Sequence, residues 1–296
     1  MLEFVSNQDL VRIAQTCPRA IFVTDLDGTL LRSDRTVSQA DRAALKRLSN
    51  QGALRVIATG RSLYSFNKVA DPNLPVDFVI FSTGAGICDY PGRSLVRKIG
   101  LETEEVKRAA DVLLSAQLDF MIHDPIPENH RFLYHASGQP NTDFERRLAL
   151  YREFAQPLAE SRDGFGPATQ LVAVVPAAAS FDALQLVRDR LTDFSIIQTT
   201  SPLDGESTWI EIFPFNVSKG LTSSWLATRL GIDLRDSVSV GNDYNDLDLL
   251  QWAETSYVVA NAPAALTSRF TCVASNNEGG VAEAVERWLG EKERCA

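Results

Sequence analysis

Short apolar runs alternate with segments of helical periodicity near both ends of the chain, and this alternation constrains the fold more than any other feature. In the N-terminal part the apolar runs are Ala20–Val23, Leu54–Ala58 and Phe78–Phe81, and the helical segments between them are Val37–Asn50 and Leu63–Ala70. Short, wholly apolar runs are typical of strands buried on both faces. Strands that alternate with helices favour a parallel sheet covered by helices on both sides. We therefore predict an α/β fold with a doubly wound, Rossmann-like parallel sheet.

The same alternation returns in the last part of the chain, after a stretch with a different pattern. The predicted elements there are a helix over Leu221–Leu230, a strand over Val238–Val240, a helix from Asp246, a strand over Tyr257–Val259 and a helix that ends near Trp288. The stretch in between has paired strands and helices, which is typical of an α+β module. We expect residues 1–86 and 208–296 to form one discontinuous catalytic core, and residues 87–207 to form an inserted cap domain.

The net charge limits the partners of the chain. Its 38 acidic and 29 basic residues give a formal charge of −9. This charge has the same sign as a nucleic acid or an anionic membrane surface, so we expect neither as a partner. The first twenty residues include Glu3, Asp9 and Arg12 and lack a long apolar run, so we predict a cytoplasmic protein without a membrane anchor.

The first predicted strand leads directly into Asp25-Leu26-Asp27-Gly28-Thr29. Two carboxylates at the carboxyl end of a buried strand lie at the edge where open α/β sheets bind ligands. Gly28 allows the loop to bend there. The pattern is also common in ordinary turns and in calcium loops. A calcium loop is disfavoured because no glutamate stands at its twelfth position and an apolar strand precedes it.

Two further motifs carry groups that suit an anion. Thr59-Gly60-Arg61 follows the second predicted strand and opens a helix, so its hydroxyl and backbone N–H groups are suited to an anion. Ser218-Lys219-Gly220 begins another helix and adds a cation. Taken alone, each has a structural explanation: Thr-Gly is a common junction between a strand and a helix, and Ser218 is a suitable N-cap with Lys219 in solvent.

The fourth motif, Gly241-Asn242-Asp243-Tyr244-Asn245-Asp246, follows the predicted strand at 238–240. Several oxygen side chains on a glycine turn suit a hard cation such as Mg²⁺, although such a turn can also simply cap the next helix. The four motifs all fall at the same edge of one predicted sheet. Together they supply a nucleophile, an acid/base, a cation site and a lysine, which favours catalysis over coincidence.

These motifs resemble those of the haloacid dehalogenase-like (HAD) hydrolase superfamily, in particular its Cof-type phosphatases with a C2 cap. The resemblance extends over nearly the whole chain and is most specific at Asp25-x-Asp27-Gly28-Thr29, Thr59-Gly60-Arg61, Ser218-Lys219-Gly220 and Gly241-x-x-x-Asn245-Asp246. It implies a HAD core with an inserted α+β cap. It also implies a Mg²⁺-dependent phosphatase that hydrolyses a small phosphorylated metabolite, a sugar phosphate or a similar compound.

The resemblance also implies residue roles. Asp25 would be the nucleophile that forms an aspartyl-phosphate, and Asp27 would be the general acid and base. The implied contacts to the phosphoryl group and substrate are Thr59, Gly60, Arg61, Lys219 and Asn245. The implied ligands of Mg²⁺ are Asp25, Asp27, Asn242, Asp243 and Asp246.

Two departures from the family pattern bear on these roles. Asn242 stands where the family usually has a metal-binding aspartate, so either its neutral amide oxygen or the carboxylate of Asp243 would be the ligand. Thr83 stands where the family commonly has asparagine. Two other functions stay open: a phosphomutase that uses the same nucleophile, and a catalytically idle metabolite-binding or scaffold protein. We expect a monomer or a homodimer.

Overall fold

The computed structural model describes residues 3–4, 18–158 and 165–295, and the chain divides into two compact units. The first, called the core unit here, lies within 1–61, 66–98 and 218–296, and the second, the inserted unit, lies within 62–65 and 99–217. None of the helices in the described ranges combines the length and the apolar character that crossing a bilayer requires.

Fifteen strands and nine α-helices are defined in the described part of the chain. The strands are Glu3–Phe4 (β1), Ala20–Thr24 (β2), Ala53–Ala58 (β3), Phe78–Phe81 (β4), Gly86–Asp89 (β5), Leu95–Lys98 (β6), Asp119–His123 (β7), Phe132–His135 (β8), Ala155–Pro157 (β9), Gln170–Val175 (β10), Phe194–Thr200 (β11), Thr208–Pro214 (β12), Ser237–Gly241 (β13), Thr255–Val259 (β14) and Thr271–Val273 (β15). The helices are Gln39–Asn50 (α1), Leu63–Asn67 (α2), Thr103–Ser115 (α3), Thr142–Leu150 (α4), Ser180–Arg190 (α5), Lys219–Arg229 (α6), Leu247–Trp252 (α7), Ala264–Thr267 (α8) and Gly280–Cys295 (α9).

The sheet of the core unit has the order β1-β6-β5-β4-β3-β2-β13-β14-β15. Six adjacent strands, from β4 to β15, are parallel, while β5, β6 and β1 extend the sheet in antiparallel fashion. The chain runs outward from β2 through β3 to β4, and later from β13 through β14 to β15 on the other side. The order therefore reverses between β2 and β13, and a ligand crevice is expected outside the carboxyl ends of strands at such a point.

Apolar side chains explain why the core strands take these central places. All five residues of β2 and all four of β4 are buried. On one face, Ile21 and Val23 of β2 belong to a cluster with Leu226 of α6 and Leu249 of α7. Helix α1 begins at the N-cap Ser38, whose hydroxyl accepts a hydrogen bond from the backbone N–H of Asp41. The predicted α/β fold with a Rossmann-like parallel sheet is confirmed.

The inserted unit contains a second sheet with the order β11-β12-β10-β7-β8-β9, antiparallel except for the pair β8 and β9. Alternate residues of its strands point to opposite faces. One face carries Phe120 and Leu171 in a cluster with residues of α3 and α5. The other face carries Met121 and Val172, which cluster with Phe144 of α4.

The structure divides the two units at positions that differ from the boundaries expected at 87 and 207. Strands β5 and β6 pair with β4 in the sheet of the core unit, so that unit continues through Lys98. Strand β12 pairs with β10 and β11 in the other sheet, so the inserted unit continues through Val217. Apolar patterning alone carries no information about which sheet such a strand joins.

Candidate active site

The candidate site lies at the carboxyl ends of β2 and β13, where the strand order reverses. The backbone N–H of Asp25, directly after β2, donates to the carbonyl of Val240 in β13 at 2.9 Å. The turn after β13 brings Asp246 to the same place, and the N-terminus of α6 brings Lys219. The sheet thus gathers residues more than 190 positions apart in the sequence.

A lysine shared by two aspartates forms the buried centre of the site. The Lys219 Nζ donates to Asp25 Oδ1 at 2.7 Å and to Asp246 Oδ1 at 2.6 Å. The side chains of Lys219 and Asp246 are fully buried, and that of Asp25 is only 6% exposed. Ser218 caps α6 by accepting a hydrogen bond from the N–H of Leu221, which fixes Lys219 as the first residue of the helix. One positive charge therefore faces two negative ones in a site that excludes water.

This excess of negative charge perturbs the titration of the site. Burial, and then the negative charge of Asp246, raise the pKa of Asp25 from 3.8 to about 7, although Lys219 opposes them. Burial alone would lower the pKa of Lys219, but the charges of Asp246 and Asp25 outweigh it and raise that pKa. The lysine therefore stays protonated, and an additional cation near Asp25 would favour the ionised carboxylate.

Asp27, two residues after Asp25, lies in a different environment. Its side chain is 46% exposed and forms a bidentate ion pair with Arg61. The Arg61 Nε donates to Asp27 Oδ2 at 2.7 Å, and Nη2 donates to Oδ1 at 2.6 Å. The geometry is the parallel fork in which guanidinium binds carboxylate most strongly. The sequence placed Arg61 among the substrate contacts, and it did not anticipate this pairing.

Four polar groups converge here: Asp25 Oδ2, the Asp27 carbonyl, the Thr29 hydroxyl and the Asn242 amide. One side-chain amide atom of Asn242 lies 3.1 Å from the backbone carbonyl oxygen of Asp27, 3.2 Å from Asp25 Oδ2 and 3.1 Å from the Thr29 hydroxyl. The backbone at Gly28 has φ +73°, and a Cβ there would lie 2.7 Å from the amide nitrogen of Asn242. Only glycine both adopts this conformation without strain and leaves room for the amide.

The remaining polar groups of the fourth motif organise the turn. The Oδ2 of Asp246 accepts hydrogen bonds from the backbone N–H groups of Asn242 at 2.8 Å and Asp243 at 3.1 Å. Asp243 and Asp246 form a capping box around the short 3₁₀ turn Tyr244–Asp246. The side chain of Asn242, rather than that of Asp243, is therefore the one placed against Asp25 and Asp27.

The second motif is brought to the same edge of the sheet. Thr59 is buried, and its hydroxyl accepts a hydrogen bond from the backbone N–H of Arg61 at 3.1 Å. A Cβ built at Gly60 would lie 3.5 Å from the Thr83 hydroxyl and 3.7 Å from the Asn245 amide nitrogen. Thr59, Gly60 and Asn245 are thus neighbours, as expected of groups that share one ligand. Their roles in binding stay predictions.

The turn after β4 supports the lysine and was only partly anticipated. Ser82 and Thr83 are buried and adopt left-handed backbone conformations, with φ +48° and +55°. Gly84, at φ +112°, passes so close to α6 that a Cβ would lie 2.4 Å from the carbonyl oxygen of Ser218. The Thr222 hydroxyl donates to the carbonyl of Gly84 at 2.9 Å. Consecutive left-handed non-glycine residues store strain, and such strain clusters at functional sites.

Two asparagines from the C-terminal part of the sequence hold the loop that follows β2. The Asn261 amide donates to the carbonyl of Gly28 at 2.8 Å, and that of Asn276 donates to the carbonyl of Leu31 at 2.9 Å. The backbone N–H of Asn276 also donates to Asn261 Oδ1 at 3.0 Å. Their bonds to this loop join residues more than 230 positions apart and are not readable from the sequence.

Comparison with known proteins extends these observations to the whole chain. A sequence model of the haloacid dehalogenase-like hydrolases matches residues 22–285. The chain is 28% identical over 281 residues to a 5-amino-6-(5-phospho-D-ribitylamino)uracil phosphatase of Bacillus subtilis, which covers 90% of this chain and 96% of the relative. It is 25% identical over 292 residues to another Bacillus subtilis phosphatase. That alignment covers 91% of this chain and 99% of the relative.

Solved structures share the fold. A HAD-superfamily phosphatase from Bacteroides thetaiotaomicron matches with a TM-score of 0.73 and 19% identity, covering 92% of this chain and 95% of that one. A subclass IIB sugar phosphatase matches with a TM-score of 0.70 and 19% identity, covering 91% of this chain and 98% of that one. Since the matched family model spans nearly the whole chain, including Asp25, Lys219 and Asp246, the chain belongs to the haloacid dehalogenase-like hydrolases.

Proposed function

We propose that this hydrolase is a Mg²⁺-dependent phosphatase that cleaves the phosphate monoester of a small metabolite through an aspartyl-phosphate on Asp25. The observation that carries the proposal is the buried Asp25 carboxylate, with Oδ1 bound to Lys219 and Oδ2 facing the Asn242 amide, which also faces the Asp27 carbonyl. The named relatives support the chemistry: one acts on a phosphorylated ribitylaminouracil, and one solved structure is a sugar phosphatase.

The residues beside Asp25 fit a magnesium ion. The facing amide atom of Asn242 lies 3.1 Å from the Asp27 carbonyl oxygen and 3.2 Å from Asp25 Oδ2. Adjacent ligands of an octahedral Mg²⁺ ion are about 3.0 Å apart, since each bond is about 2.1 Å. No three His, Cys, Asp or Glu side chains form a metal-binding group in the described ranges. Mg²⁺ suits such a site because it takes few carboxylates and completes its shell with water and phosphate.

Asp25, the Asp27 carbonyl and Asn242 would hold this ion, and Asp246 would act mainly through Lys219 and the turn. When bound, Mg²⁺ supplies positive charge that offsets the repulsion between the carboxylate and the substrate phosphate. That repulsion is about 4 kcal/mol for two unit charges 4 Å apart at an effective dielectric constant of 20. Lys219 contributes positive charge from the opposite oxygen of Asp25.

In the first step Asp25 attacks phosphorus, the bond between phosphorus and the leaving oxygen breaks, and an aspartyl-phosphate forms. Asp27 donates a proton to the departing alkoxide. In the second step Asp27 takes a proton from water, the water oxygen attacks phosphorus, and Asp25 and inorganic phosphate are released. Thr59, Gly60, Lys219 and Asn245 bind the phosphoryl oxygens. Arg61 pairs with Asp27 and orients its carboxylate.

The decisive experiment measures phosphate release from phosphorylated sugars, phosphoglycolate-like acids, nucleotides and pyridoxal phosphate, with Mg²⁺ or with EDTA, ranked by kcat/KM. A phosphatase releases phosphate only with Mg²⁺ and without an activator. A phosphomutase would depend on a bisphosphate activator and give no net phosphate. An idle binding protein would release none from any compound, and either result would overturn the proposal.

A further inference from the structure

When no cation is bound and Asp25 is ionised, only one of the two orientations of the Asn242 side-chain amide gives every facing oxygen a donor. With Oδ1 turned toward Asp25, this oxygen faces the acceptors Asp25 Oδ2 and the Asp27 carbonyl, and only the Thr29 hydroxyl donates to it, at 3.1 Å. With Nδ2 turned inward, the nitrogen donates to the Asp27 carbonyl at 3.1 Å and to Asp25 Oδ2 at 3.2 Å. The orientation with Nδ2 inward therefore suits acceptor oxygens, and the orientation with Oδ1 inward suits a donor or a cation.

Elementary electrostatics assigns each orientation to a state. Oxygen atoms about 3.1 Å apart with no proton between them repel, unless a cation lies within bonding distance of both. Leaving a buried acceptor without a donor destabilises the folded state. The inward Nδ2 supplies the missing protons, whereas the inward Oδ1 supplies a ligand for a cation. An aspartate at this position has no proton to supply at neutral pH.

Thr29 makes both orientations possible. Its hydroxyl is fully buried and lies 3.1 Å from the inward amide atom. A hydroxyl can both donate and accept. It donates to Oδ1 in one orientation. In the other it is a second acceptor for one of the two Nδ2 protons, shared with Asp27 or Asp25, so Thr29 keeps a partner in both orientations.

We propose that, in the cation-free protein, the side-chain N–H groups of Asn242 bond to the oxygens of Asp25 and Asp27 that a cation would otherwise bind. Cation binding then requires the amide to rotate by about 180°. The inference rests on the proposed function for the presence of a cation at this site. It adds that Asn242 stabilises the cation-free state and weakens cation binding, in contrast to the carboxylate usual in the family. A bound cation must displace two hydrogen bonds and gains only a neutral ligand.

The charge of the site explains why replacing Asn242 with aspartate should change the stability of the fold. Asp25 and Asp246 already share one buried lysine. A third carboxylate, 3.2 Å from Asp25 Oδ2, would add repulsion that only a cation relieves. Asn242→Asp should therefore make the fold depend on the cation.

The test uses the full chain, freed of metal and without substrate, so that a failure of catalysis does not affect it. Wild type, Asn242→Asp and Thr29→Val are unfolded thermally in EDTA and in increasing MgCl₂, and Mg²⁺ binding is measured by calorimetry. In EDTA, Asn242→Asp should unfold at a Tm about 5 °C lower than wild type. It should bind Mg²⁺ at least tenfold more tightly, and saturating Mg²⁺ should restore its Tm. Thr29→Val should lower the Tm in both conditions and change the Mg²⁺ Kd less than threefold.

A spectroscopic measurement covers the case in which a variant folds poorly. The ¹⁵N resonance of the Asn242 side chain, assigned in wild type through its bonded connection to the Asn242 backbone, should shift on Mg²⁺ addition, and its protons should exchange slowly with water only in EDTA. An Asn242→Asp protein with wild-type Tm in EDTA and wild-type Mg²⁺ affinity would overturn the proposal. So would an amide resonance that saturating Mg²⁺ leaves unchanged. Failure of the proposed function has a different signature, because it appears only in phosphate release.

Discussion

Asp25 and Asp27 are two residues apart in one loop, yet the structure gives them opposite surroundings. Asp25 is buried, shares Lys219 with Asp246, and has its pKa raised to about 7 by burial and the neighbouring carboxylate. Asp27 is half exposed and is held by Arg61 through a two-bond fork. A pair of carboxylates in contrasting environments is the usual way to separate two roles in one mechanism. The buried half of the site should therefore govern bond formation and stability, and the exposed half proton transfer.

The largest expected effect is on catalysis in the buried half. Asp25→Asn removes the attacking oxygen while keeping the shape of the side chain. Phosphate release in the presence of Mg²⁺ should fall by about 10⁴-fold or more, as for other covalent nucleophiles. Circular dichroism of the variant should match wild type. A residual rate within tenfold of wild type would remove Asp25 from the role of nucleophile.

The second largest effect concerns the shared lysine. Lys219→Met leaves two buried carboxylates without their partner, and breaking a buried ion pair in this way costs about 3–5 kcal/mol. Urea unfolding at pH 8 in EDTA should report this loss. Phosphate release should fall by about 10²–10³-fold, since one charged donor to the phosphoryl group is lost.

A matched control for Lys219→Met is Lys107→Met, which removes an exposed lysine that pairs with Glu104 on α3. Exposed pairs of this kind contribute about 0–1 kcal/mol. Equal free energies of unfolding for the two variants would contradict the view that burial, rather than pairing itself, makes Lys219 important.

The exposed half of the site should be sensitive to the leaving group. Asp27→Asn keeps the ion-pair geometry in part but cannot transfer a proton. For an alkyl phosphate, kcat/KM should fall by about 10²–10³-fold, since the departing alkoxide needs a proton. For p-nitrophenyl phosphate, whose leaving group is stable as an anion, the first step should be much less affected. Equal losses on both substrates would argue against acid catalysis by Asp27.

The buried half should also set a pH dependence of stability. The pKa of Asp25 is about 7 in the folded state and 3.8 as its ordinary value, so the folded chain binds this proton more tightly between pH 4 and 7. The stability it contributes is complete below about pH 4 and is lost as the pH rises to about 7. Over this interval the free energy of unfolding of wild type in EDTA should fall by about 2–4 kcal/mol relative to that of Asp25→Asn, measured by urea unfolding. A constant difference between the two proteins would contradict the raised pKa.

The contrast within the motif also separates what the sequence predicts from what it does not. The motifs at Asp25, Thr59 and Gly241 each directly follow an apolar strand, so the parallel sheet and the edge that carries them follow from patterning alone. The place of Lys219 does not, because it begins α6 after a strand of the other sheet. The choice between the side chains of Asn242 and Asp243 does not, because it depends on how the turn rotates after Gly241 and on the capping box with Asp246. Spacing along the chain does not encode that rotation.

The same limit applies to partners distant in sequence. The motif Thr59-Gly60-Arg61 marks an anion-binding junction, but the bond from Arg61 to Asp27 joins residues 34 positions apart on different strands' ends. The hairpin β5–β6 and the strand β12 show that the fold, too, depends on partners distant in sequence. The sheet that each joins is decided by pairing with β4 and with β10, which apolar patterning does not predict.

The smallest expected effect, and the one that most sharpens the contrast, is that of Arg61→Gln. Arg55 and Asp77 form a second bidentate pair in the core unit, with Nε to Oδ2 at 3.0 Å and Nη2 to Oδ1 at 2.6 Å, and they are more buried than Arg61 and Asp27. If the Arg61 pair serves to orient Asp27, Arg61→Gln should lower kcat about three- to tenfold while changing the free energy of unfolding by less than about 1 kcal/mol. Arg55→Gln should instead lower the free energy of unfolding and leave kcat nearly unchanged, because its pair is structural.

In a double-mutant cycle on kcat/KM with the alkyl phosphate, Arg61→Gln should have little further effect once Asp27 is already Asn, since residues that act through one another are not additive. Full additivity would show that Arg61 acts independently of Asp27, as a direct substrate contact instead.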